Sequence, residues 1–305
     1  MSLFHDYESA GPGISKHAPK KKGISLFFDI LFRKMWQLMG INMLYLLFFV
    51  PLLLIFPVIY YTGESAALPL TLLLILVFSI LIGPATAGMT KIMRMYIIEK
   101  HTFVVRDFFK GFRDNFKKAA VIGFLDCLII FSVIAGFRVY PQIAAAYNNK
   151  LLLAPMVIMC SIAIVVFMMN FYIWLMLIAT DLSLKNLFKN SFALAFVGMK
   201  HNLISIGVIV LTLFIMLIMM IYVQSVFFLL MLILPWAFLS FVICFNCYPV
   251  IQRFVINPYY ESIGQINPEL MSPEDEEGEE PVFEDMGGKE QPIEKRRKGK
   301  GRRIS

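Results

Sequence analysis

The sequence carries little charge for its length. Charged residues make up 16% of the 305 positions, whereas hydrophobic residues make up 59%, and the mean hydropathy is +0.73. Soluble globular domains carry about 25% charged residues. This composition excludes an ordinary soluble domain and predicts an integral membrane protein.

Cysteine and histidine are scarce, with four of each. All four cysteines lie inside apolar runs, so no disulfide framework is expected. Cys244 and Cys247 form a CxxC, but it lies in an apolar segment without a second pair. No two histidines lie at the spacing of metal ligands. The sequence therefore predicts no metal site and no cofactor.

Several catalytic signatures are missing as well. The chain has no GxxxxGK[ST], which argues against ATP hydrolysis by this protein, and neither GxSxG nor HExxH. Intramembrane chemistry generally requires clustered His, Asp, Glu or metal ligands, and the apolar runs contain one acid. We therefore predict no catalytic residue and a non-enzymatic protein.

Six apolar runs are each long enough to cross a hydrocarbon core, which needs about 20 helical residues. They span Ile41–Tyr61, Ala66–Met89, Ala119–Tyr140, Leu151–Thr180, Leu203–Val223 and Val226–Val250. The predicted fold class is all-α: a polytopic membrane helix bundle of about six transmembrane helices with cytoplasmic amphipathic surface helices. A very short joint at Gln224 predicts that the last two spans form a hairpin or, alternatively, one broken re-entrant element.

Composition divides the chain into three parts. Residues 1–26 are a polar segment, residues 27–258 form the membrane domain, and residues 259–305 are a charged tail, acidic and then basic, that is expected to be disordered. A short amphipathic segment over residues 27–38 mixes aromatic and basic side chains and is expected at the membrane surface. No secretory signal is recognisable, so the first span is expected to be an uncleaved anchor.

The distribution of lysine and arginine predicts the topology. Eighteen of the 20 basic residues before residue 269 fall on one side of the six predicted spans. Basic residues beside short spans stay in the cytoplasm, so both termini are predicted to be cytoplasmic. The basic charge also favours anionic lipid headgroups over nucleic acid as a partner.

The connector after the second span contains a basic and aromatic segment. Projected at about 100° per residue, its cations fall on one stripe and its phenylalanines gather roughly opposite or to one side. This pattern predicts a helix in the membrane interface, or alternatively a helix packed on the protein's own spans. The candidate docking or lipid surface consists of Arg106, Phe108, Phe109, Lys110, Phe112, Arg113, Phe116 and Lys117.

Small residues and prolines within the spans mark candidate packing and kink positions. Small side chains allow a neighbouring backbone to approach closely, and proline removes a backbone donor and can kink a helix. The candidates are Gly83, Pro84, Ala87, Gly88 and Pro235.

Three polar residues in apolar surroundings are candidate functional groups: Asp126, Asn170 and Gln224. Asp126 lies about 10 Å along the third predicted span at 1.5 Å per residue. A carboxylate near a bilayer centre costs about 2.5–3.5 kcal/mol, so it needs a partner. The alternative to a functional role is a structural hydrogen bond or an ion pair with Lys91 or Arg94.

Three motifs in order resemble the YesL-like family of bacterial membrane proteins over about residues 11–255. They are GPGISK, FFDILFRKMWQLMGINMLYLLFFVP and GPATAGMTKIMRMYIIEKHTFVVRDFFKGFRDNFKKA. Members of that family have no assigned biochemical function and are typically encoded near carbohydrate ABC transporter components. The resemblance implies a bacterial cytoplasmic-membrane protein tied to sugar uptake or sensing. The sequence departs from the family in a longer segment between the first two spans' motifs and in its charged tail.

These observations leave three functional hypotheses. The first is a non-enzymatic accessory or assembly subunit of a carbohydrate transport system, with an ABC permease or ATPase as partner. The second is a stand-alone small-molecule transporter that uses Asp126 and proline-kinked helices. The third is a membrane-embedded enzyme.

Overall fold

The computed structural model describes residues 23–265, 267 and 269. This part of the chain is helical and contains no strand. The α-helices are α1 Ile24–Leu46, α2 Val50–Leu53, α3 Ile55–Thr62, α4 Glu64–Ile97, α5 Val104–Asp114, α6 Phe116–Ala146, α7 Ala154–Ala179, α8 Leu184–Val197, α9 Met199–Tyr222, α10 Gln224–Ile233, α11 Pro235–Ile251 and α12 Asn257–Ser262.

Within the described residues, six helical stretches are long and apolar enough to cross a membrane. They cover Ile24–Thr62, Ala66–Ile97, Phe116–Ala146, Lys150–Ala179, Met199–Tyr222 and Pro235–Ser262. This confirms the predicted all-α membrane bundle. The chain divides into two compact units after residue 258. Residues 1–22 and most of the predicted tail lie outside the described residues.

The first span begins earlier than predicted. Helix α1 starts at Ile24, so the expected surface segment over residues 27–38 is the first half of a longer helix. Gly40 lies between the two halves, and a glycine within a helix costs only about 1 kcal/mol. Leu38 and Ile41 are fully buried on either side of Gly40, and their packing supports the continuous helix.

The last predicted span, Val226–Val250, is interrupted at Pro235, one of the predicted kink positions. Helix α10 ends at Ile233 and α11 begins at Pro235. Because Pro235 has no N–H, it cannot donate to the carbonyl of Met231, and one bond of the helical ladder is missing there. Leu234, between the two helices, has φ −133° and ψ −42°.

The last two spans nevertheless form a hairpin. Near the start of α9, the Ser205 hydroxyl accepts a hydrogen bond of 2.9 Å from Nδ2 of Asn246, near the end of α11. Helix α10 follows the end of α9 and packs against it. The chain therefore returns antiparallel to α9, and the returning arm is the one broken at Leu234.

The predicted basic helix also ends sooner than expected. Helix α5 stops at Asp114, because Asn115 leaves the helical conformation with φ −107° and ψ 9°. Phe116 and Lys117 open α6 instead, so the single stripe predicted over residues 106–117 is divided between two helices.

Helix α4 lies at the centre of the bundle and packs against α1, α3, α5, α6, α7 and α11. It crosses α6 at two glycines, Gly83 of α4 and Gly123 of α6, and we call this contact the glycine crossing. A Cβ built on Gly83 would lie 2.0 Å from the carbonyl oxygen of Ala119, and one on Gly123 would lie 2.7 Å from Cα of Gly83. Only glycine at these two positions allows the backbones to approach so closely.

Candidate functional site

Asp126 and Asn170 are brought together between α6 and α7. Asn170 donates from Nδ2 to Oδ1 of Asp126 at 2.9 Å and to the carbonyl of Val166, on its own helix, at 3.2 Å. Both N–H groups of the amide are therefore used. Among the described residues, the buried Oδ1 of Asn170 has no hydrogen-bond partner.

Arg94, which the sequence offered as an ion-pair partner for Asp126, reaches α11. Its Nε donates to the hydroxyl of Tyr248 at 2.9 Å, and its guanidinium lies 5.6 Å from the centre of the same ring. The side chain of Lys91 lies against Gly111 of α5. The hydrogen-bond donor observed at Asp126 is thus the amide of Asn170.

Gln224 lies apart from this pair. It is exposed at the first position of α10, which packs against α1 and α9. The structure therefore groups two of the three polar candidates and places the third at the joint of the hairpin.

The break between α10 and α11 is filled by Asn42, a fully buried residue of α1. Its Nδ2 donates to the carbonyls of Met231 at 3.2 Å and Leu232 at 2.7 Å. Its Oδ1 accepts from the backbone amides of Trp236 at 3.0 Å and Ala237 at 3.1 Å. One amide side chain replaces the bonds that the break at Leu234 and Pro235 removes.

A second buried polar group links α7, α8 and α9. The Tyr172 hydroxyl donates to Oδ1 of Asn202 at 2.7 Å, and Nδ2 of Asn202 donates to the carbonyl of Ala195 at 2.7 Å. A Cβ on Gly198 would lie 2.0 Å from the Tyr172 hydroxyl. These bonds fix the turn between α8 and α9.

The CxxC pair lies inside the same end of the bundle. Cys244 and Cys247 are buried free thiols, and Sγ of Cys247 lies 3.9 Å from the Ser205 hydroxyl. Within the described residues no group of three or more His, Cys, Asp or Glu side chains is arranged to hold a metal ion.

Helix α5 is positioned by its aromatic face. Phe108 is fully buried, its ring lies 6.0 Å from that of Phe48, and the Phe112 ring lies 5.2 Å from the same ring. A Cβ on Gly88 would lie 2.7 Å from the carbonyl oxygen of Phe108. The packing alternative therefore applies to Phe108 and Phe112, which contact the protein's own helices.

The remaining candidates of this segment are exposed. Phe109 is 47% exposed and Phe116 36% exposed. The exposed cations of the surface are Arg106, Lys110, Arg113 and Lys117. Helix α5 therefore packs one face against the protein's own helices and exposes its basic residues on the opposite face.

The packing and kink candidates are all buried. Gly83, Pro84, Ala87 and Gly88 lie in α4, where Pro84 does not end the helix, and Pro235 is the first residue of α11. Asn42, which fills the break, was missed by sequence reasoning. Two features of the sequence could have indicated it. Asn42 is a lone amide in an apolar run, and the last predicted span contains a proline.

Comparison with known proteins gives one family. Residues 38–137 match the model of DUF624, described as a protein of unknown function. No curated protein and no solved structure matches the chain significantly. The matched region includes Asn42, the glycine crossing at Gly83, helix α5 and Asp126. The chain therefore contains a DUF624 domain, and DUF624 is the family to which the YesL-like proteins belong.

Proposed function

We propose that the protein is a non-enzymatic accessory or assembly subunit of a carbohydrate (ABC-type) transport system in the bacterial cytoplasmic membrane, with both termini in the cytoplasm. The observation that carries the proposal is the exposed face of α5, which is basic and aromatic while the opposite face is packed. The link to carbohydrate transport rests on the resemblance to YesL-like proteins.

The exposed face of α5 suits a protein partner. Arginine and aromatic side chains are enriched among the residues that dominate binding energy at interfaces. On α5, Arg106, Lys110 and Arg113 lie beside Phe109, and all four are exposed. Because Phe108 and Gly111 hold the other face against α4, the surface is presented on a rigid support.

The buried amides support an accessory role as well. Asn42 and Asn202 use both their donor and acceptor atoms within the protein. Polar groups whose hydrogen bonds are made within the protein stabilise helix contacts and are not available to bind a solute. We infer that the working surface of the protein is its outer face.

We expect wild-type protein, extracted in mild detergent from cells that co-express the ABC permease and ATPase subunits, to retain one of them. Changing Arg106 and Lys110 together to glutamine should reduce the retained amount about tenfold, equivalent to about 1.4 kcal/mol. The measurement is quantitative immunoblotting of the purified fraction.

The matched control changes Arg138 and Lys150, which are exposed at the other end of α6 and in the following connector, to glutamine. This control should retain the partner at the wild-type level. If wild-type protein retains neither a permease nor an ATPase, the accessory role is wrong. Equal losses in the two variants would assign the effect to net charge.

A second candidate, a stand-alone small-molecule transporter, is favoured by the interrupted last span and by the Asp126–Asn170 pair. Transporters often combine broken helices with sparse buried polar groups. Liposomes containing only this protein should then accumulate a labelled sugar, and the Asp126→Asn variant should lose that uptake. Absence of uptake by the wild-type protein contradicts this candidate.

A further inference from the structure

Helices α6 and α7 together contain a single acidic side chain. Between residues 116 and 179, Asp126 is the single acidic residue. It lies ten residues into α6, about 15 Å along the helix axis at 1.5 Å per residue. A permanently charged group at such a depth is costly in lipid, so its neighbours decide how it is accommodated.

The hydrogen bonds around Asp126 leave an acceptor without a donor. Asn170 gives one N–H to Oδ1 of Asp126 and the other to Val166. Its own Oδ1 is buried and unpaired within the described part of the chain. An unpaired buried acceptor is destabilising, and here it belongs to a side chain already bonded to a carboxyl group.

The Tyr45 and Thr86 hydroxyls already donate their hydrogens to other groups. The Thr86 hydroxyl on α4 donates to the carbonyl of Ile82 at 2.8 Å, so the Tyr45 hydroxyl on α1, 3.0 Å away, is the donor to Thr86. Tyr45 and Cys127 are titratable groups that lie within electrostatic range of Asp126. Neither hydroxyl is therefore free to donate to Asn170, and a thiol such as that of Cys127 is a weak donor.

We propose that Asp126 and Asn170 form a proton-binding site within the membrane-spanning bundle. A proton on Oδ2 of Asp126 creates an O–H group that can donate to the unpaired Oδ1 of Asn170 once the carboxyl group rotates toward it. Nδ2 of Asn170 continues to donate to Oδ1 of Asp126. The pair then forms a closed acid–amide ring in which the orphaned oxygen of Asn170 has a partner.

A proton fits this site better than a metal cation. Hard cations take about six oxygen ligands, and the pair offers the carboxyl oxygens of Asp126 and one amide oxygen. Asparagine is also one of the two side-chain amides, with glutamine, that can donate to one carboxyl oxygen and accept from the other. The site does not depend on the accessory role proposed above.

The test uses dicyclohexylcarbodiimide, an apolar reagent that adds to protonated carboxyl groups in membranes. Full-length protein in liposomes is labelled over a range of pH, and the modified residue is identified by peptide mass spectrometry. We expect labelling at Asp126 that falls about tenfold for each pH unit above its midpoint, as for a single titrating site. Labelling should be unchanged when sodium replaces choline in the buffer.

Two variants provide a second readout. In Asp126→Asn, two amides can form the same closed ring without a proton, so this variant should unfold at the temperature of the wild-type protein at acidic pH. Its unfolding temperature should also vary less with pH than that of the wild-type protein. Asp126→Leu leaves Asn170 without its partner and should unfold at a lower temperature than Asp126→Asn.

The outcomes are distinct. Absence of labelling at Asp126 over the whole pH range shows a permanently charged structural residue and overturns the proposal. Protection by sodium at constant pH assigns a cation site and overturns it too. Labelling of Asp126 that follows pH alone, with the Asp126→Asn variant insensitive to pH, supports the proton site even if no transport partner is found.

Discussion

Gly83→Ala is expected to separate α4 from α6 and to prevent stable folding. The added Cβ would lie 2.0 Å from the carbonyl oxygen of Ala119, 2.8 Å from its carbonyl carbon and 3.1 Å from Cα of Gly123. All three are backbone atoms, so no side-chain rotation can relieve the clash. The cost should exceed the about 1–3 kcal/mol of ordinary overpacking.

The matched control is Gly207→Ala in α9. Nothing lies within 4 Å of a Cβ at that position, and alanine is a better helix former than glycine by about 1 kcal/mol. This variant should keep or slightly raise the unfolding temperature in detergent, whereas Gly83→Ala should lower it strongly or abolish the monodisperse peak in size-exclusion chromatography. Equal unfolding temperatures for Gly83→Ala and wild type would show that α4 and α6 do not pack as described.

Asn42→Leu is expected to be nearly as damaging. Leucine fills a similar volume, but it leaves the carbonyls of Met231 and Leu232 and the amides of Trp236 and Ala237 without their partner. At about 1 kcal/mol for each of four bonds, the loss is about 4 kcal/mol. The measurement is the free energy of unfolding in mixed micelles.

Asn149→Ala is the control for the loss of an asparagine. The side chain of Asn149 accepts one hydrogen bond of 3.0 Å from the amide of Leu151 in an exposed turn, where water can replace it. Its removal should cost about 1 kcal/mol or less. If Asn42→Leu costs no more than this control, the break at Pro235 is satisfied in another way.

Much of the fold could be predicted from the sequence because it depends on quantities that are local in the chain. Apolar run length predicted six spans, and the small residues at 83–88 marked a helix that α5 and α6 approach closely. The end of α5 at Asn115 was missed because periodicity continues across a one-residue break. The early start of α1 was missed because its first half is amphipathic, which is also typical of a surface helix.

The candidate site was only partly predictable. Asp126 and Asn170 stood out individually as polar residues in apolar runs, but the sequence gives no distance between side chains 44 positions apart. Asn42 was overlooked because its partners are backbone atoms 189–195 positions away, and backbone atoms carry no residue-specific signal. Pro235 showed where donors and acceptors would be lost, but not which side chain would replace them.

The distance in sequence between Asn42 and its partners has a consequence for biosynthesis. The ribosome delivers the first helix to the membrane long before it has made residues 231–237, so the amide of Asn42 enters the lipid without the groups it will bind. Until the final hairpin has inserted, the nascent chain carries an incomplete contact at its beginning. Quality control that recognises unpaired polar groups in membranes would thus be able to distinguish finished molecules from those whose translation stopped early.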